Sequence, residues 1–250
     1  MDDYRDSHRD PSKPASYDPQ FFEPGTTLNL MWEIEREIIG NAVSRMSPKP
    51  QRALDFACGT GRILSEVARW VPEVVGVDVS SAMIEIARSR CPNTTIIEAD
   101  LTADPNVMSE RFDLITSFRF LLNAQPDLRS AALRALRSRI CNGGLLLTNF
   151  HLNPMSLTGV YHAAMSRIRG IEPRIMMTLG EARQLLRENG FEPVDVRGYG
   201  YLLYRKKRPR FVASVGAVER KLAAWNTVPA LAQNFIISAR PAPTSITSPG

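Results

Sequence analysis

The stretch ALDFACGTGRIL, residues 53–64, places a carboxylate, a thiol and two glycines where an apolar run meets an amphipathic run. Asp55 comes four residues before Gly59, and Gly61 follows two residues later. Glycines at a strand-to-helix turn let the backbone bend sharply and let a ligand approach with no Cβ in the way. The pattern therefore predicts a ligand-binding turn at the carboxyl edge of a parallel sheet.

Two phosphate-binding loops can be tested against this turn. A dinucleotide fingerprint, G-x-G-x-x-G, would align with Ala57, Gly59 and Arg62, so two of its three glycines are missing. A Walker-type loop is excluded, because no Gly-Lys-Ser/Thr sequence follows. The carboxylate of Asp55, inside the first strand, would repel a pyrophosphate and favour a ligand with a cationic group.

Two more carboxylates end later apolar runs. Asp78 in GVDV lies 17 residues after Gly61, where a carboxylate reaches two ribose hydroxyls. Asp100 in IIEAD can accept a hydrogen bond from an adenine amino group. Each residue alone also fits a structural turn or a helix cap, so the joint pattern carries the interpretation. S-adenosylmethionine has adenine, ribose, a sulfonium and an ammonium group and no phosphate, and it fits this set.

At these positions the sequence resembles the class I S-adenosylmethionine (SAM)-dependent methyltransferases. Their first motif matches DFACGTG, their second- and third-strand acids match the aspartates of GVDV and EAD, and their later motifs match FDLITSFRFLLN and CNGGLLLTNF. The resemblance covers about residues 50–150. It implies a methyltransferase that uses SAM and releases S-adenosylhomocysteine. It also implies a cofactor site formed by Tyr17, Asp55, Ala57, Cys58, Gly59, Gly61, Arg62, Asp78, Val79, Met83, Asp100, Leu101, Ser117 and Phe118.

The surrounding elements alternate between strands and helices in a way that positions these residues. Near-continuous apolar strands separated by amphipathic helices predict an α/β fold, with a Rossmann-like, doubly wound, mostly parallel seven-stranded sheet and an antiparallel last strand. Strands are expected at 52–57, 73–79, 94–99, 112–118, 143–150, 192–203 and 234–240. Helices are expected at 27–46, 61–71, 81–90, 126–140 and 179–190.

The rest of the chain is assigned by composition. Residues 1–16 are polar and are expected to form a disordered tail. Residues 17–250 are expected to form one methyltransferase domain, in which 17–47 is an N-terminal helical cap that could cover the cofactor. Two stretches interrupt the alternation, 151–178 and 205–233, and each is interpreted as an insertion that contains a helix; the first, rich in methionine, could act as a lid.

Candidate residues for the acceptor side lie after the later strands. His151 directly follows the fifth strand, and its ordinary pKa near neutral pH suits a general base; His162 in the first insertion is a second candidate. Arg119 ends the fourth strand and could bind a carboxylate or phosphate, or form a surface ion pair. Tyr199 and Tyr201 share one face of the sixth strand and are either pocket wall or core.

Composition narrows the partners. The net charge of +5 is mild for 250 residues, and much of it lies in RKKRPR, residues 205–210. The fourth strand ends in SFRF rather than in the motif of methyltransferases that act on base amino groups, so a nucleic-acid acceptor is not expected. The region TNFHLN offers no carboxylate cluster, so no metal is expected. We expect a cytoplasmic enzyme with a small-molecule acceptor and no membrane span. Whether it forms a homodimer is left open. A lipid or macromolecular acceptor and a non-catalytic SAM-binding protein are the alternatives.

Overall fold

A computed structural model describes residues 19–104, 106–172, 174–202 and 209–243. Tyr17 and residues 205–208 of the basic run lie outside the described residues. The helices are α1 (Pro19–Phe22), α2 (Thr27–Ser44), α3 (Arg62–Val67), α4 (Ser81–Arg90), α5 (Pro126–Arg139), α6 (Leu157–Arg169), α7 (Leu179–Glu188) and α8 (Pro209–Trp225). The strands are β1 (Arg52–Phe56), β2 (Glu73–Asp78), β3 (Thr95–Glu98), β4 (Phe112–Ser117), β5 (Ile140–His151), β6 (Phe191–Tyr199) and β7 (Asn234–Pro241).

All seven strands form one sheet in the order β3-β2-β1-β4-β5-β7-β6. Strands β1 to β5 pair in parallel, and β7 inserts antiparallel between β5 and β6. The order reverses at β1 and β4, so the carboxyl ends of these two strands flank the crevice in which doubly wound sheets bind ligands. The predicted fold class is therefore confirmed, including the antiparallel last strand.

Both faces of the sheet are covered by apolar side chains. Leu54 of β1 and Leu146 of β5 belong to one buried cluster, while their neighbours Ala53 and Leu147 belong to the cluster on the other face. This alternation explains why the parallel strands read as continuous apolar runs. Helix α2 packs its buried residues, Ile34 among them, into the second cluster, so the N-terminal segment completes one layer of the fold.

Several predicted boundaries need correction. The strand expected at 192–203 ends at Tyr199, because Gly200 has a φ of +79° and turns the chain away from the sheet. The strand expected at 143–150 is longer at both ends, Ile140–His151, and so takes the last residue of the helix expected at 126–140. The helix expected at 61–71 ends at Val67.

Both insertions contain a helix, as expected, α6 in the first and α8 in the second. Within the described ranges, no helix is long and apolar enough to cross a bilayer.

Candidate functional site

The turn after β1 is built from left-handed residues. Ala57, Gly59 and Gly61 have φ values of +57°, +54° and +79°. A Cβ on Gly59 would point into open space, whereas one on Gly61 would come within 3.2 Å of Ala87 on α4. Gly59 therefore keeps space open at the turn, and Gly61 lets α3 start close to α4. The left-handed Ala57 carries a steric cost of about 1–2 kcal/mol, strain of the kind found at functional sites.

Asp55 is a buried carboxylate directly beneath this turn. Its side chain accepts a hydrogen bond of 2.6 Å from the Thr116 hydroxyl, while its Oδ2 makes no hydrogen bond of ordinary geometry with the described residues. Burial raises the pKa of Asp55 to about 7, against the opposing effects of the Thr116 hydrogen bond and the Arg62 guanidinium. The site thus holds a buried carboxyl group that titrates near neutral pH, and one of its oxygens has no hydrogen bond of ordinary geometry to the described residues.

The two other predicted acids sit at the ends of the next strands. Asp78 Oδ2 accepts a hydrogen bond of 2.8 Å from the Gly59 N–H, and its Oδ1 accepts one of 2.9 Å from the Ser80 N–H. Asp100 Oδ1 accepts hydrogen bonds from the N–H and hydroxyl of Thr102, at 2.9 and 2.5 Å. These bonds hold both carboxylates in defined orientations at the carboxyl edge of the sheet.

The turn and the strand ends enclose one cleft, here called the glycine-turn cleft. Twelve of the predicted site residues line it: Asp55, Ala57, Cys58, Gly59, Arg62, Asp78, Val79, Met83, Asp100, Leu101, Phe118 and Arg119. Gly61 and Ser117 are not among the lining residues; Gly61 is the N-cap residue before α3, and the carbonyl of Ser117 accepts a hydrogen bond from Thr148. Burial raises the pKa of Cys58 well above its usual range, so this wall residue stays a neutral thiol.

A buried polar group beside the cleft was missed by sequence reasoning. Glu35 on α2 is 1% exposed and pairs with Arg62 at 2.7 Å. It also accepts hydrogen bonds from the hydroxyl of Tyr199 and from Nδ2 of Asn149. These four residues are called the cap network. The only sequence signal was a glutamate next to the apolar Ile34, inside a stripe that was otherwise interpreted as core.

Charge pairing decides the state of the cap network. Burial would raise the pKa of Glu35, but the guanidiniums of Arg62 and Arg119 and the hydroxyl of Tyr199 outweigh it and lower the pKa. Burial and the Glu35 charge raise the pKa of Tyr199 well above its usual range, so it stays a neutral donor. The network is therefore an ionised glutamate held by a cation and two neutral donors.

Arg119 connects the cap network to the cleft. Its φ is +59°, its N–H donates a 2.6 Å hydrogen bond to Oδ1 of Asn149, and its carbonyl accepts a 2.6 Å hydrogen bond from Asn123. Its guanidinium lies 4.9 Å from the ring centre of Phe21, and Arg62 lies 4.5 Å from the same ring. Phe21 of the N-terminal segment thus sits against both arginines of the cleft wall.

Comparisons with known proteins agree with this geometry. A family model described as a methyltransferase domain matches residues 53–144. A ubiquinone biosynthesis O-methyltransferase of Roseobacter denitrificans is 29% identical over 185 residues, which is 69% of this chain and 71% of the relative. The chain therefore contains a methyltransferase domain, and it is a SAM-dependent methyltransferase.

Solved structures of methyltransferases share the fold. The SAM-bound magnesium protoporphyrin IX methyltransferase of Synechocystis superimposes with a TM-score of 0.61, at 14% identity over 95% of each chain. A SAM-bound amino pentose methyltransferase of Micromonospora echinaspora gives a TM-score of 0.57, at 16% identity over 84% of this chain and 91% of that one.

SAM is the cofactor of this methyltransferase, and the glycine-turn cleft fits it. Oδ2 of Asp55, which has no hydrogen-bond partner among the described residues, is a buried acceptor that suits a cationic ammonium group. The open space at Gly59 admits a ligand against the backbone, and Asp78 and Asp100 present carboxylates to polar groups further along. Within the described ranges no group of three or more His, Cys, Asp or Glu side chains is placed to hold a metal ion. The absence of a metal stays a prediction.

Neither histidine is among the described residues that line the cleft of the methyltransferase. His151 ends β5, and its Nδ1 has no hydrogen-bond partner among the described residues. Burial and the nearby Arg119 charge lower its pKa to about 3, so the expectation that it titrates near neutral pH is wrong. His162 lies on α6 beside Tyr161, and burial also lowers its pKa.

The two tyrosines do not share a strand face, because β6 ends between them. Tyr199 is fully buried in the cap network and is core rather than pocket wall. Tyr201 follows the turn at Gly200, and its N–H donates to the buried Glu219 of α8. Burial and Glu219 raise the pKa of Tyr201 to about 12. Both side chains lie outside the lining of the cleft.

Proposed function

We propose that this methyltransferase acts on an O or N atom of a small molecule, such as a sugar, an amino sugar or another secondary metabolite. The observation that carries the proposal is the position of Phe21, whose ring lies against both Arg62 and Arg119 of the cleft wall. This contact supports the proposal that the N-terminal segment covers this side of the glycine-turn cleft. A covered cleft favours an acceptor that can enter it whole over one that is part of a folded macromolecule.

The three acids receive one role each in the proposal. Asp78 would hold the ribose hydroxyls, Asp100 the adenine amino group and Asp55 the ammonium group, while Met83 and Leu101 supply apolar walls. Bound in this way, SAM supplies a methyl group on an electrophilic sulfonium. The chain's own contribution is alignment of the acceptor with that methyl group and exclusion of water.

The acceptor side is assigned to Arg119. Arg119 lines the cleft, and its backbone is fixed on both sides, by Asn149 and by Asn123. A guanidinium binds a carboxylate or a phosphate through two parallel hydrogen bonds, so an anionic group on the acceptor would be oriented here.

The low pKa of His151 bears on the chemistry of the acceptor. A base works best when its pKa is near the working pH, so an imidazole with a pKa of about 3 removes a hydroxyl proton poorly. A neutral amine needs no base during attack, since the product ammonium can lose its proton to water afterwards. The acceptor atom is therefore an amine nitrogen or an acidic hydroxyl. The match to a ubiquinone biosynthesis O-methyltransferase supports the acidic hydroxyl over the amine nitrogen as the acceptor.

Methyl-labelled SAM tests the proposal directly. The full chain is incubated with labelled SAM and a cell extract that has been split by ultrafiltration, and calorimetry measures SAM binding in parallel. The expected result is label in a small molecule of the filtrate other than SAM itself. Label in the lipid or macromolecular fraction would favour the first alternative. Binding of SAM without transfer to either fraction would favour a non-catalytic SAM-binding protein.

A further inference from the structure

Helix α6 has its small side chains inside and its large apolar side chains outside. Its buried residues are Thr158, Gly159 and Ser166. The opposite face carries large side chains with exposed fractions of 62% for Leu157, 58% for Val160, 43% for Tyr161 and 76% for Ile168. A helix that only completed the core of this chain would have the reverse arrangement. None of the residues that the structure describes covers this exposed face.

The exposed residues form one continuous line. Leu157, Tyr161, Ala164 and Ile168 recur at helical spacing, and Val160 widens the line; these five residues are called the apolar stripe. Met155 before the helix and Ile171 and Ile175 after it extend the exposed apolar surface. Of the fifteen large apolar side chains that are exposed in the described parts of the chain, seven lie between residues 155 and 175.

Positive charge borders the apolar stripe. Arg167 and Arg169, in the last turn of α6, are both exposed and precede and follow Ile168 by one position, which places them on either side of it. No residue from Leu157 to Arg169 is acidic. Beyond the helix, the exposed Glu172 and Arg174 balance each other. An apolar line with arginines along its edges is the pattern of a helix that lies in a lipid interface.

We propose that the apolar stripe docks on an anionic lipid surface. A peptide partner would use a groove, whereas the stripe is the outer face of a single helix. A second copy of the chain would offer the same arginines and no acid on this helix, so pairing of two stripes would gain no charge complementarity. An anionic bilayer surface supplies both an apolar layer and negative charge.

The stripe also lies near the working edge of the sheet. Helix α6 begins shortly after His151, the last residue of β5, and the carboxyl ends of the parallel strands form the edge at which the glycine-turn cleft opens. A lipid surface bound by α6 would therefore lie beside that edge. The proposal concerns where the protein sits and does not rest on the acceptor proposed above.

Vesicle co-sedimentation of the full chain tests the docking. The vesicles contain phosphatidylcholine alone or mixed with phosphatidylglycerol, and the double variant Val160→Gln/Ile168→Gln is compared with the wild type. We expect salt-sensitive binding to the anionic vesicles and a loss of about tenfold or more in the double variant, because two buried side chains are removed from the interface. The variant Arg167→Gln/Arg169→Gln should lose a similar factor on anionic vesicles only.

The matched control is Val194→Gln/Val228→Gln, which removes two comparably exposed valines elsewhere and should bind as the wild type does. All variants keep the basic run 205–210, so binding through that run would leave them equal and would overturn the proposal. Absence of binding to anionic vesicles would also overturn it. A dimer in sedimentation velocity that the stripe variant dissociates, without vesicle binding, would assign the stripe to contact between copies.

Discussion

The glycine-turn cleft and the cap network are neighbours built in different ways. In the cleft, Asp78 and Asp100 each accept a hydrogen bond from a residue two positions away, Ser80 and Thr102, and only Asp55 depends on a partner as distant as Thr116, 61 positions away. In the cap network, Glu35 bonds to Arg62, Asn149 and Tyr199, which are 27, 114 and 164 positions away. Local partners can be inferred from a sequence, whereas distant ones exist only after the fold has formed.

The two regions also differ in how far their polar groups are satisfied. In the part of the chain that the structure describes, a buried oxygen of Asp55 in the cleft has no hydrogen-bond partner, while both carboxylate oxygens of Glu35 accept hydrogen bonds. A ligand that hydrogen-bonds to an unsatisfied polar group binds more tightly because of it. Removing one partner of a satisfied buried pair instead lowers the stability of the fold. Substitutions in the cap network should therefore reduce stability, and substitutions in the cleft should reduce cofactor affinity.

The largest effect is expected for Glu35→Ala. This change leaves the buried Arg62 guanidinium without its counter-charge and the Tyr199 hydroxyl without its acceptor. Removing one partner of a buried ion pair costs about 3–5 kcal/mol, and urea unfolding should show a loss in the free energy of unfolding of that size.

The control for this comparison is Glu192→Ala, which breaks the exposed pair with Arg187 and should cost at most about 1 kcal/mol. If Glu35→Ala were as mild as Glu192→Ala, the cap network would not be a stabilising unit, and the contrast between the two regions would fail.

The next largest effect is expected for Asp78→Ala, and it should appear in binding. If Asp78 holds the ribose, the variant loses two charge-assisted hydrogen bonds, which together are worth on the order of a hundredfold in SAM affinity. Calorimetric titration with SAM measures this loss. Glu98→Ala, at the paired position on β3, should bind SAM as the wild type does. Equal binding by both variants would remove Asp78 from the site.

Much of the cleft could be predicted because strand ends and turn glycines carry their own signals. Asp78 and Asp100 were identified from their position at the end of an apolar run and Asp55 from its position before the turn glycines, and all three line the cleft. The sheet followed from the same alternation of strands and helices. These features depend on local backbone geometry and on side-chain period, both of which are visible in one sequence.

The acceptor side could not be predicted for a physical reason. A histidine at a strand end has the same sequence signal whether it is solvated or buried, so the low pKa of His151 becomes visible only with its surroundings. The strand was predicted to continue through Tyr201 because the positive φ of Gly200 is not visible in the sequence. Glu35 was missed because it lies among the apolar residues of α2. For His151 and Glu35 the deciding partners are distant in the chain.

A smaller effect is expected from pH acting on Asp55. Its pKa of about 7 means that the carboxyl is mostly protonated at about pH 6 and ionised at about pH 8, and an ammonium group favours the ionised form. SAM affinity should therefore rise by up to about tenfold per pH unit below pH 7 and level off above it. Calorimetry at several pH values measures this slope.

Asp55→Asn is the matched variant, since it keeps the shape and removes the titration. Its SAM affinity should be low and independent of pH. The raised pKa also means that the folded state keeps a proton that the unfolded state, in which the aspartate has its ordinary pKa of 3.8, has already released. The ligand-free wild type should lose stability as pH rises toward 7, and the variant should lose less. A wild-type affinity that does not change with pH would exclude Asp55 as the ammonium partner.

The smallest effect is expected for His151→Gln. An imidazole with a pKa of about 3 is neutral throughout the working range, so its removal should change kcat by less than about twofold with an amine acceptor. The pH profile of kcat should likewise show no inflection that the variant abolishes. A drop of tenfold or more in kcat at unchanged KM would make His151 the base. In that case Nδ1 of His151, which has no hydrogen-bond partner among the described residues, would serve the acceptor as Oδ2 of Asp55 serves SAM.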